Sequence, residues 1–270
     1  MEELLQNPAI QAGIAPFLAA LVVAAPLART RFLGLSQLAG FLVLAALAIG
    51  FSFESLTAVK KLVLVAIGSG IAAVLLEALP ARRELRGLVL VLLGAGCIWM
   101  LWRLLAQREG AGPYAAGLLG AAYVIALAWS TLRVSADPVR GASAGLMIGL
   151  GTGALAILGA SAVLGSAAIA VGASCGAALL VQMLRGQPAA VGTTVAFPAV
   201  AVAGLAGVLA TQSGVLPWYC LLPVLAAPWA TLVAPESIRR VWLKAVVSSA
   251  LALVPMLAAV VLAWMAPAAS

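Results

Sequence analysis

Residues 141–235 read GASAGLMIGLGTGALAILGASAVLGSAAIAVGASCGAALLVQMLRGQPAAVGTTVAFPAVAVAGLAGVLATQSGVLPWYCLLPVLAAPWATLVAP, and Arg185 is the one charged side chain among them. A surface in contact with water needs polar and charged side chains to cover it, and this stretch has almost none. Its apolar runs are also long enough to span the hydrocarbon core of a bilayer as helices. The stretch therefore predicts a part of the chain whose solvent is lipid.

The composition of the whole chain extends this prediction. Of its 270 residues, 65% are hydrophobic and 9% are charged, with a mean hydropathy of +1.19. Soluble domains carry roughly 25% charged residues. The net charge of +7 comes from basic residues in the short gaps between apolar runs, as membrane topology requires. We therefore predict a multi-pass protein of a plasma membrane or bacterial inner membrane, with the lipid bilayer and not nucleic acid as its partner.

Ten apolar runs follow one another along the chain, each near the length of about 20 residues at which a helix spans a bilayer. Most gaps between them contain Pro, Gly or charged residues, which end helices. The weakest break lies at 159–165, where no charge marks a turn, and without it the count would be nine. The sequence thus predicts an all-α integral membrane protein of about ten transmembrane helices. The predicted spans are 8–28, 33–53, 60–79, 86–106, 113–132, 140–159, 162–184, 191–213, 216–234 and 242–265.

Basic residues are distributed unevenly over the loops. The odd-numbered loops, counted along the chain, hold eleven Lys and Arg residues, whereas the even-numbered loops hold four. Because cytoplasmic loops are enriched in Lys and Arg, the odd-numbered loops are predicted to be cytoplasmic. With an even number of helices, both termini then lie on the outer (periplasmic) side. Six of the seven tryptophans also fall near predicted helix ends, as in an interfacial belt, whereas Trp229 lies inside the ninth span.

The helix starts of the two halves coincide at a shift of about 130 residues, which also brings Asn7-Pro8 onto Asp137-Pro138. Two halves with five helices each would have opposite orientations, as in the inverted repeats of many secondary transporters. In helix count and spacing, and in no residue motif, the chain resembles five-plus-five carriers such as the auxin efflux carriers, the bile acid symporters and the drug/metabolite transporter superfamily. Chance can also produce such spacing. We divide the single membrane domain into halves at 1–135 and 136–270.

Ionisable groups that could perform chemistry are scarce. The chain has no His, and its three cysteines each lie in an apolar run, so neither a metal site nor a cofactor is predicted. Of the eight acidic residues, Glu77 alone lies within a predicted span. An ionisable residue in a membrane indicates a functional site, because its burial is costly unless it is paired. The alternative is that Glu77 reaches the interface and pairs with Arg82 or Arg83.

Uncharged polar residues and prolines supply the remaining candidates for a substrate pathway. Small polar side chains on the seventh and eighth spans can bind a solute, or they can form interhelical hydrogen bonds. Prolines inside the ninth span bend the helix and free backbone carbonyls, which must be met by other helices or line a wet cavity. Together with Glu77, the candidates are Ser174, Gln182, Thr193, Thr194, Pro223 and Pro228.

Glycines spaced by four mark the sixth span, at Gly141, Gly145 and Gly149. Small residues at this spacing clear one helix face and let a neighbouring helix approach closely. Close packing is one interpretation. The other is that the glycine-rich sixth and seventh helices slide or unwind around a substrate.

These features favour a transporter over an enzyme, because no acid–base or nucleophile constellation is visible. We predict a secondary transporter or permease for a neutral, amphipathic or weakly charged small solute. The alternative is a membrane scaffold subunit of a larger complex, whose small-residue faces dock against partner membrane subunits or a second copy. A lipid flippase or lipid-handling enzyme is a third, less favoured interpretation.

Overall fold

The computed structural model describes residues 7–50, 56–79, 83–107, 112–189 and 191–266, which form helices and short connections with no strand among them. We number the helical segments α1 to α10 in chain order. The first turn of α1 and the last turn of α2 are π-helical, and α9 begins and ends in 3₁₀ turns. The segments are α1 Ile10–Leu27, α2 Leu35–Ile49, α3 Ala58–Ala78, α4 Arg83–Ala106, α5 Gly112–Val134, α6 Pro138–Leu158, α7 Ala162–Arg185, α8 Gly192–Thr211, α9 Trp218–Val233 and α10 Val241–Met265.

Eight of the described segments are long and apolar enough to cross a membrane, and α2 and α9 are shorter than the spans predicted at 33–53 and 216–234. α2 ends at Gly50, whose φ of 74° takes the chain out of the helix, and the rest of that predicted span lies at 51–53, outside the described residues. α9 is bounded by Pro217 and Ala234, whose ψ angles of 141° and 127° are not helical. The architecture is that of an α-helical multi-pass membrane protein.

The break between α6 and α7 is real, although the sequence marks it weakly. Ala160 has a left-handed φ of 62°. The backbone N–H of Ser161 donates to Ala156 O at 2.9 Å, and that of Ala160 donates to Ile157 O at 3.0 Å. These two bonds form a Schellman motif, which satisfies the last carbonyls of a helix and is normally built on glycine. The turn therefore forms without a charge or a proline.

Contacts between helix ends assign the loops to two sides of the bundle. The loops after α1, α3, α5, α7 and α9 define the odd-loop side, and the loops after the even-numbered helices define the even-loop side. Five contacts of side chains at helix ends each join two groups of the same side. On the odd-loop side, Glu77 bonds to Thr193, Lys244 to Asp137 and Arg185 to Ala28. On the even-loop side, Lys61 bonds to Trp99 and Ser213 to Gly159. Successive helices therefore run in opposite directions.

Helix α8 forms the centre of the bundle. Every residue from 193 to 210 is buried, and α3, α5, α6 and α7 pack around the helix. Helices α6 and α7 approach each other closely, since a Cβ built on Gly149 would lie 2.5 Å from Gly172 Cα. Without a hydrophobic driving force in lipid, such close approach of small residues is a main source of helix association. The core is thus built mainly by the second half of the chain.

Candidate functional site

The first turn of α8 lies inside the bundle. After α7 ends at Arg185, the chain folds back along α7, and the Ala189 N–H donates to Gln182 Oε1 at 3.2 Å. Gln37 links the first turn of α8 to Cys175, which precedes the end of α7 by ten residues. At 1.5 Å per residue, Cys175 is about 15 Å below the end of α7, whereas Gln37 is in the first turn of α2 and Glu77 is in the last turn of α3. We call the polar residues that meet there the α8-start cluster: Gln37, Glu77, Cys175, Thr193 and Thr194.

Glu77 caps α8 from the neighbouring helix α3. Its Oε1 accepts a hydrogen bond from the Thr193 N–H at 2.8 Å and lies 2.7 Å from the Thr193 hydroxyl, which is also 3.2 Å from Ala73 O. Gly192 makes room for the carboxyl, because a Cβ there would lie 3.0 Å from Glu77 Cδ, and its φ of 40° also disfavours any side chain. An acidic group at a helix N-terminus is worth ~0.3–1 kcal/mol, and up to ~2 kcal/mol when partly buried. Glu77 therefore fixes the start of α8.

The predicted pairing of Glu77 with Arg82 or Arg83 is tested only for Arg83, with which Glu77 makes no ion pair among the described residues. Arg82 lies outside the described residues, and the ion pairs of the described part of the chain involve Asp137. Glu77 uses the Thr193 N–H and hydroxyl instead.

Gln37 fills the gap that Pro198 leaves in the hydrogen bonding of α8. Proline has no N–H, so the carbonyl four residues earlier, that of Thr194, lacks its helical donor. Gln37 Nε2 donates to Thr194 O at 2.6 Å and lies 2.9 Å from Val195 O. The Gln37 side chain is only 1% exposed, so no solvent can replace it. Gln37 thus restores the missing bond and joins α2 to α8.

The two small polar residues of α7 have different partners. The Cys175 thiol donates to Gln37 Oε1 at 3.0 Å and so belongs to the α8-start cluster. The Ser174 hydroxyl donates to Ala170 O on its own helix at 2.6 Å and lies 3.5 Å from Pro16 O of α1. Ser174 therefore faces α1 and not the cluster.

Gln182 and Thr194 stabilise the connection between α7 and α8. Besides the bond from Ala189, the Gln182 side chain places Nε2 at 3.5 Å from Ala178 O. The Thr194 hydroxyl donates to Val191 O. Both side chains are fully buried. The polar atoms of both side chains bond to nearby backbone groups, and the bond from Ala189 to Gln182 holds the connection against α7.

The prolines of α9 lie apart from this cluster. Pro223 is in the first helical turn, and the Tyr219 carbonyl that it deprives of a donor accepts from the Leu222 N–H instead. Pro228 lies inside the helix, and its carbonyl accepts from the Thr231 hydroxyl at 2.6 Å. α9 packs mainly against α5, α6 and α10. The candidates on α3 and α8 are therefore brought together, and those on α9 are not.

The predicted packing glycines of α6 face different neighbours. A Cβ on Gly145 would lie 2.8 Å from Cys175 Sγ, so this glycine makes room for a member of the cluster. A Cβ on Gly141 would lie 2.9 Å from Ser135 Cα, in the connection from α5. Gly149 meets α7 backbone to backbone, as described above. At each of the three glycines, a neighbouring group fills the space into which a side chain would extend.

Sequence reasoning missed Gln37. A signal was present, because a glutamine inside an apolar run must find a hydrogen-bonding partner. Pro198 in the predicted eighth span was a second signal, since its missing N–H requires a donor from elsewhere. The resulting bond joins Gln37 to Thr194, which is 157 positions away, and no local pattern reveals it.

The cluster brings a carboxyl, a carboxamide, two hydroxyls and a thiol into the interior of an apolar bundle. Each of these groups bonds to a protein neighbour, so a neutral or weakly charged solute would have to replace one of these bonds to bind here. Among the described residues, no group of three or more His, Cys, Asp or Glu side chains could hold a metal ion. Fold and site together define a multi-pass α-helical membrane protein with a buried polar cluster at a helix start. Neither a protein-family model nor a curated protein matches the chain.

Proposed function

We propose that this protein is a secondary transporter or permease that carries a neutral, amphipathic or weakly charged small solute past the start of α8. The observation that carries the proposal is the α8-start cluster. There a helix begins inside the bundle, with the Glu77 carboxyl at its N-terminus and a carbonyl freed by Pro198 beside Gln37. In secondary transporters, substrates and coupling ions bind at interrupted helices and helix ends of this kind.

The proposal includes ten membrane crossings. α2 starts on the odd-loop side, where Gln37 meets α8, and α3 starts on the even-loop side, where Lys61 bonds to Trp99 O at 3.0 Å. α9 follows the even-loop connection after α8 and leads to Ala234, whose carbonyl accepts from Arg140 on the odd-loop side. Helices of this length measure about 23 Å against a hydrocarbon core of ~30 Å, a mismatch that local thinning of the bilayer accommodates.

The odd-loop side is assigned to the cytoplasm in this proposal. The eleven basic residues of its loops, against four in the even-numbered loops, support this orientation. Both termini are then on the outer side of a plasma or bacterial inner membrane. Residues 1–6 and 267–270 themselves lie outside the described residues.

Two inverted five-helix halves are also part of the proposal. A two-fold axis in the membrane plane would relate α1 and α2 to α6 and α7, and α4 and α5 to α9 and α10, and each of these pairs is packed. The same axis would map the packed pairs α2 with α7 and α3 with α8 onto themselves. The correspondence is incomplete, because α10 packs along α6 without an equivalent contact between α1 and α5 in the described residues.

The test is solute uptake into liposomes that contain the purified full chain. The probes are a labelled polyol, a zwitterionic amino acid and an amphipathic amine, each measured against protein-free liposomes. We expect uptake of at least one probe, and a loss of that uptake in Glu77→Gln, which keeps the side-chain shape and removes the carboxyl. The matched control is Glu84→Gln, at an exposed acidic residue in the first turn of α4.

Separate measurements distinguish loss of function from loss of folding. Thermal unfolding in detergent should show that both variants remain folded. Uptake of no probe by a monodisperse protein would overturn the proposal, and co-purification of a partner in fixed stoichiometry would then favour a scaffold subunit. Equal uptake by Glu77→Gln and the unaltered chain would remove Glu77 from the pathway.

A further inference from the structure

One corner of the bundle concentrates positive charge and tryptophan on the odd-loop side. Residues 133–140 and 234–244 contain five basic residues, two acidic residues and Trp242, and Trp129 and Trp229 lie a few residues before the two segments. We call this surface the α6–α10 corner. Its members are Arg133, Arg140, Arg239, Arg240, Lys244, Trp129, Trp229 and Trp242.

Direct contacts hold the corner together. Asp137 caps α6 by accepting from the backbone N–H groups of Val139 and Arg140, at 3.1 and 3.3 Å, and its other oxygen pairs with Lys244 of α10. Arg140 is buried and donates to Ala234 O at 2.7 Å, which fixes the connection between α9 and α10. The N-termini of α6 and α10 are therefore side by side, and both present the positive ends of their dipoles to this surface.

The cations of the corner are unequally neutralised. Asp137 serves both Lys244 and Arg140 and can balance only one of the two charges. Arg239 and Arg240 are exposed, and within the described part of the chain neither makes an ion pair. Since Glu236 is the only other acid in these two segments, the corner keeps a net positive charge.

Aromatic rings border this charge. The Trp129 and Trp229 rings lie 5.6 Å apart, and the Arg133 guanidinium lies 4.9 Å from the Trp129 ring centre. Trp129, Trp229 and Trp242 remain 44%, 40% and 48% exposed. Half-exposed tryptophans beside arginines are typical of the boundary between headgroups and acyl chains. This contact also explains Trp229, which falls inside a predicted span but faces the interface.

We propose that the α6–α10 corner binds the headgroup of an anionic phospholipid. The phosphodiester would contact Arg239 and Arg240, and the tryptophans would lie along the upper acyl chains. Basic pockets between membrane helices bind anionic lipids in this way. A free phosphate has the same charge, but the exposed Trp242 two residues after Arg240 and the Trp129 ring in contact with Arg133 favour a ligand that also has an apolar part.

The test titrates phosphatidylglycerol or phosphatidylcholine into the full chain in neutral detergent and counts bound lipids by native mass spectrometry. We expect tighter binding of phosphatidylglycerol. In the double variant Arg239→Ala/Arg240→Ala, its affinity should fall by about 30-fold, as expected for two bases near the headgroup. The matched control is Arg83→Ala/Arg86→Ala, which removes two exposed charges at the start of α4, also on the odd-loop side.

Each possible outcome decides the proposal. A selective loss in the first double variant, with unchanged phosphatidylcholine binding and unchanged thermal unfolding, supports it. An equal loss of phosphatidylglycerol affinity in both double variants would indicate diffuse charge attraction and would overturn the proposal. Equal affinity of the unaltered chain for the two lipids would also overturn it. Displacement of phosphatidylglycerol by water-soluble glycerol phosphate would show that the acyl chains contribute nothing, and would overturn the assignment to lipid.

Discussion

Replacing Gln37 by leucine tests whether this side chain compensates for Pro198. Leucine keeps a similar volume but cannot donate to Thr194 O, which would then be a buried acceptor without a donor. In Pro198→Ala the backbone N–H of residue 198 returns and can bond to the same carbonyl as in any regular helix. The effect of Gln37→Leu should therefore depend on which residue occupies position 198.

The expected magnitudes follow from the cost of unsatisfied buried groups. Leaving a buried acceptor unpaired costs ~1–3 kcal/mol, so Gln37→Leu should lower the free energy of unfolding by about 2 kcal/mol when Pro198 is present. In the Pro198→Ala background only an ordinary interhelical bond is lost, worth ~0.6 kcal/mol in membrane proteins. The expected coupling between the two positions is about 1.4 kcal/mol.

The assay is unfolding by SDS in mixed micelles, followed by the fluorescence of the seven tryptophans. Gln182→Leu is the matched control, because Gln182 is equally buried but bonds to Ala189, not to the carbonyl that Pro198 frees. Its effect should be the same in both backgrounds to within about 0.5 kcal/mol. If Gln37→Leu costs the same with and without Pro198, the two residues are not coupled and the explanation for Gln37 is wrong.

Three further predictions concern single positions and use the same unfolding assay. Gly149→Ala should destabilise the protein strongly, because the added Cβ would lie 2.5 Å from the Gly172 backbone. A Cβ added at Gly68 would have no atom within 4 Å, so Gly68→Ala should be neutral or stabilise by up to about 1 kcal/mol. Equal effects of the two substitutions would contradict the packing of α6 on α7. Ala160→Gly should stabilise by about 1 kcal/mol by relieving its left-handed φ, and any destabilisation would argue against that turn. Glu77→Leu should destabilise by about 1–2 kcal/mol through loss of the α8 cap, more than Glu77→Gln, which keeps an acceptor, and the reverse order would exclude capping.

The sequence predicted the helices well because their determinants are local. An apolar run needs no distant partner to become a membrane-spanning helix, and Asp137-Pro138 specifies a helix start through its own cap and ring. The described helices α2 and α9 are shorter than the predicted spans, because Gly50 ends α2 and the non-helical residues Pro217 and Ala234 bound α9. Length in these two cases depends on backbone geometry and not on hydropathy.

The candidate site was only partly predictable because its contacts are distant in sequence. Glu77 and Thr193 stood out by residue type, since polar groups inside an apolar span must be satisfied. Nothing local showed that each is the partner of the other, or that α8 starts deeper in the bundle than α7 ends. That depth follows from the loop folding back so that Ala189 reaches Gln182, and Gly186-Gln187-Pro188 reads in sequence as an ordinary surface turn.

The packing also indicates which helices can move if the protein is a transporter. The glycine-rich pair α6 and α7 has no room for a side chain at Gly149, where backbone meets backbone, so we expect this pair not to slide. Between α3 and α4, by contrast, a groove of about 250 Å³ remains, lined by apolar and small residues that include Gly68 and Gly96. If α3 moved into this space, the Glu77 carboxyl would withdraw from Thr193 and uncap the start of α8. For the proposed transporter we therefore expect the contact of α3 with α8 to vary and that of α6 with α7 to stay fixed.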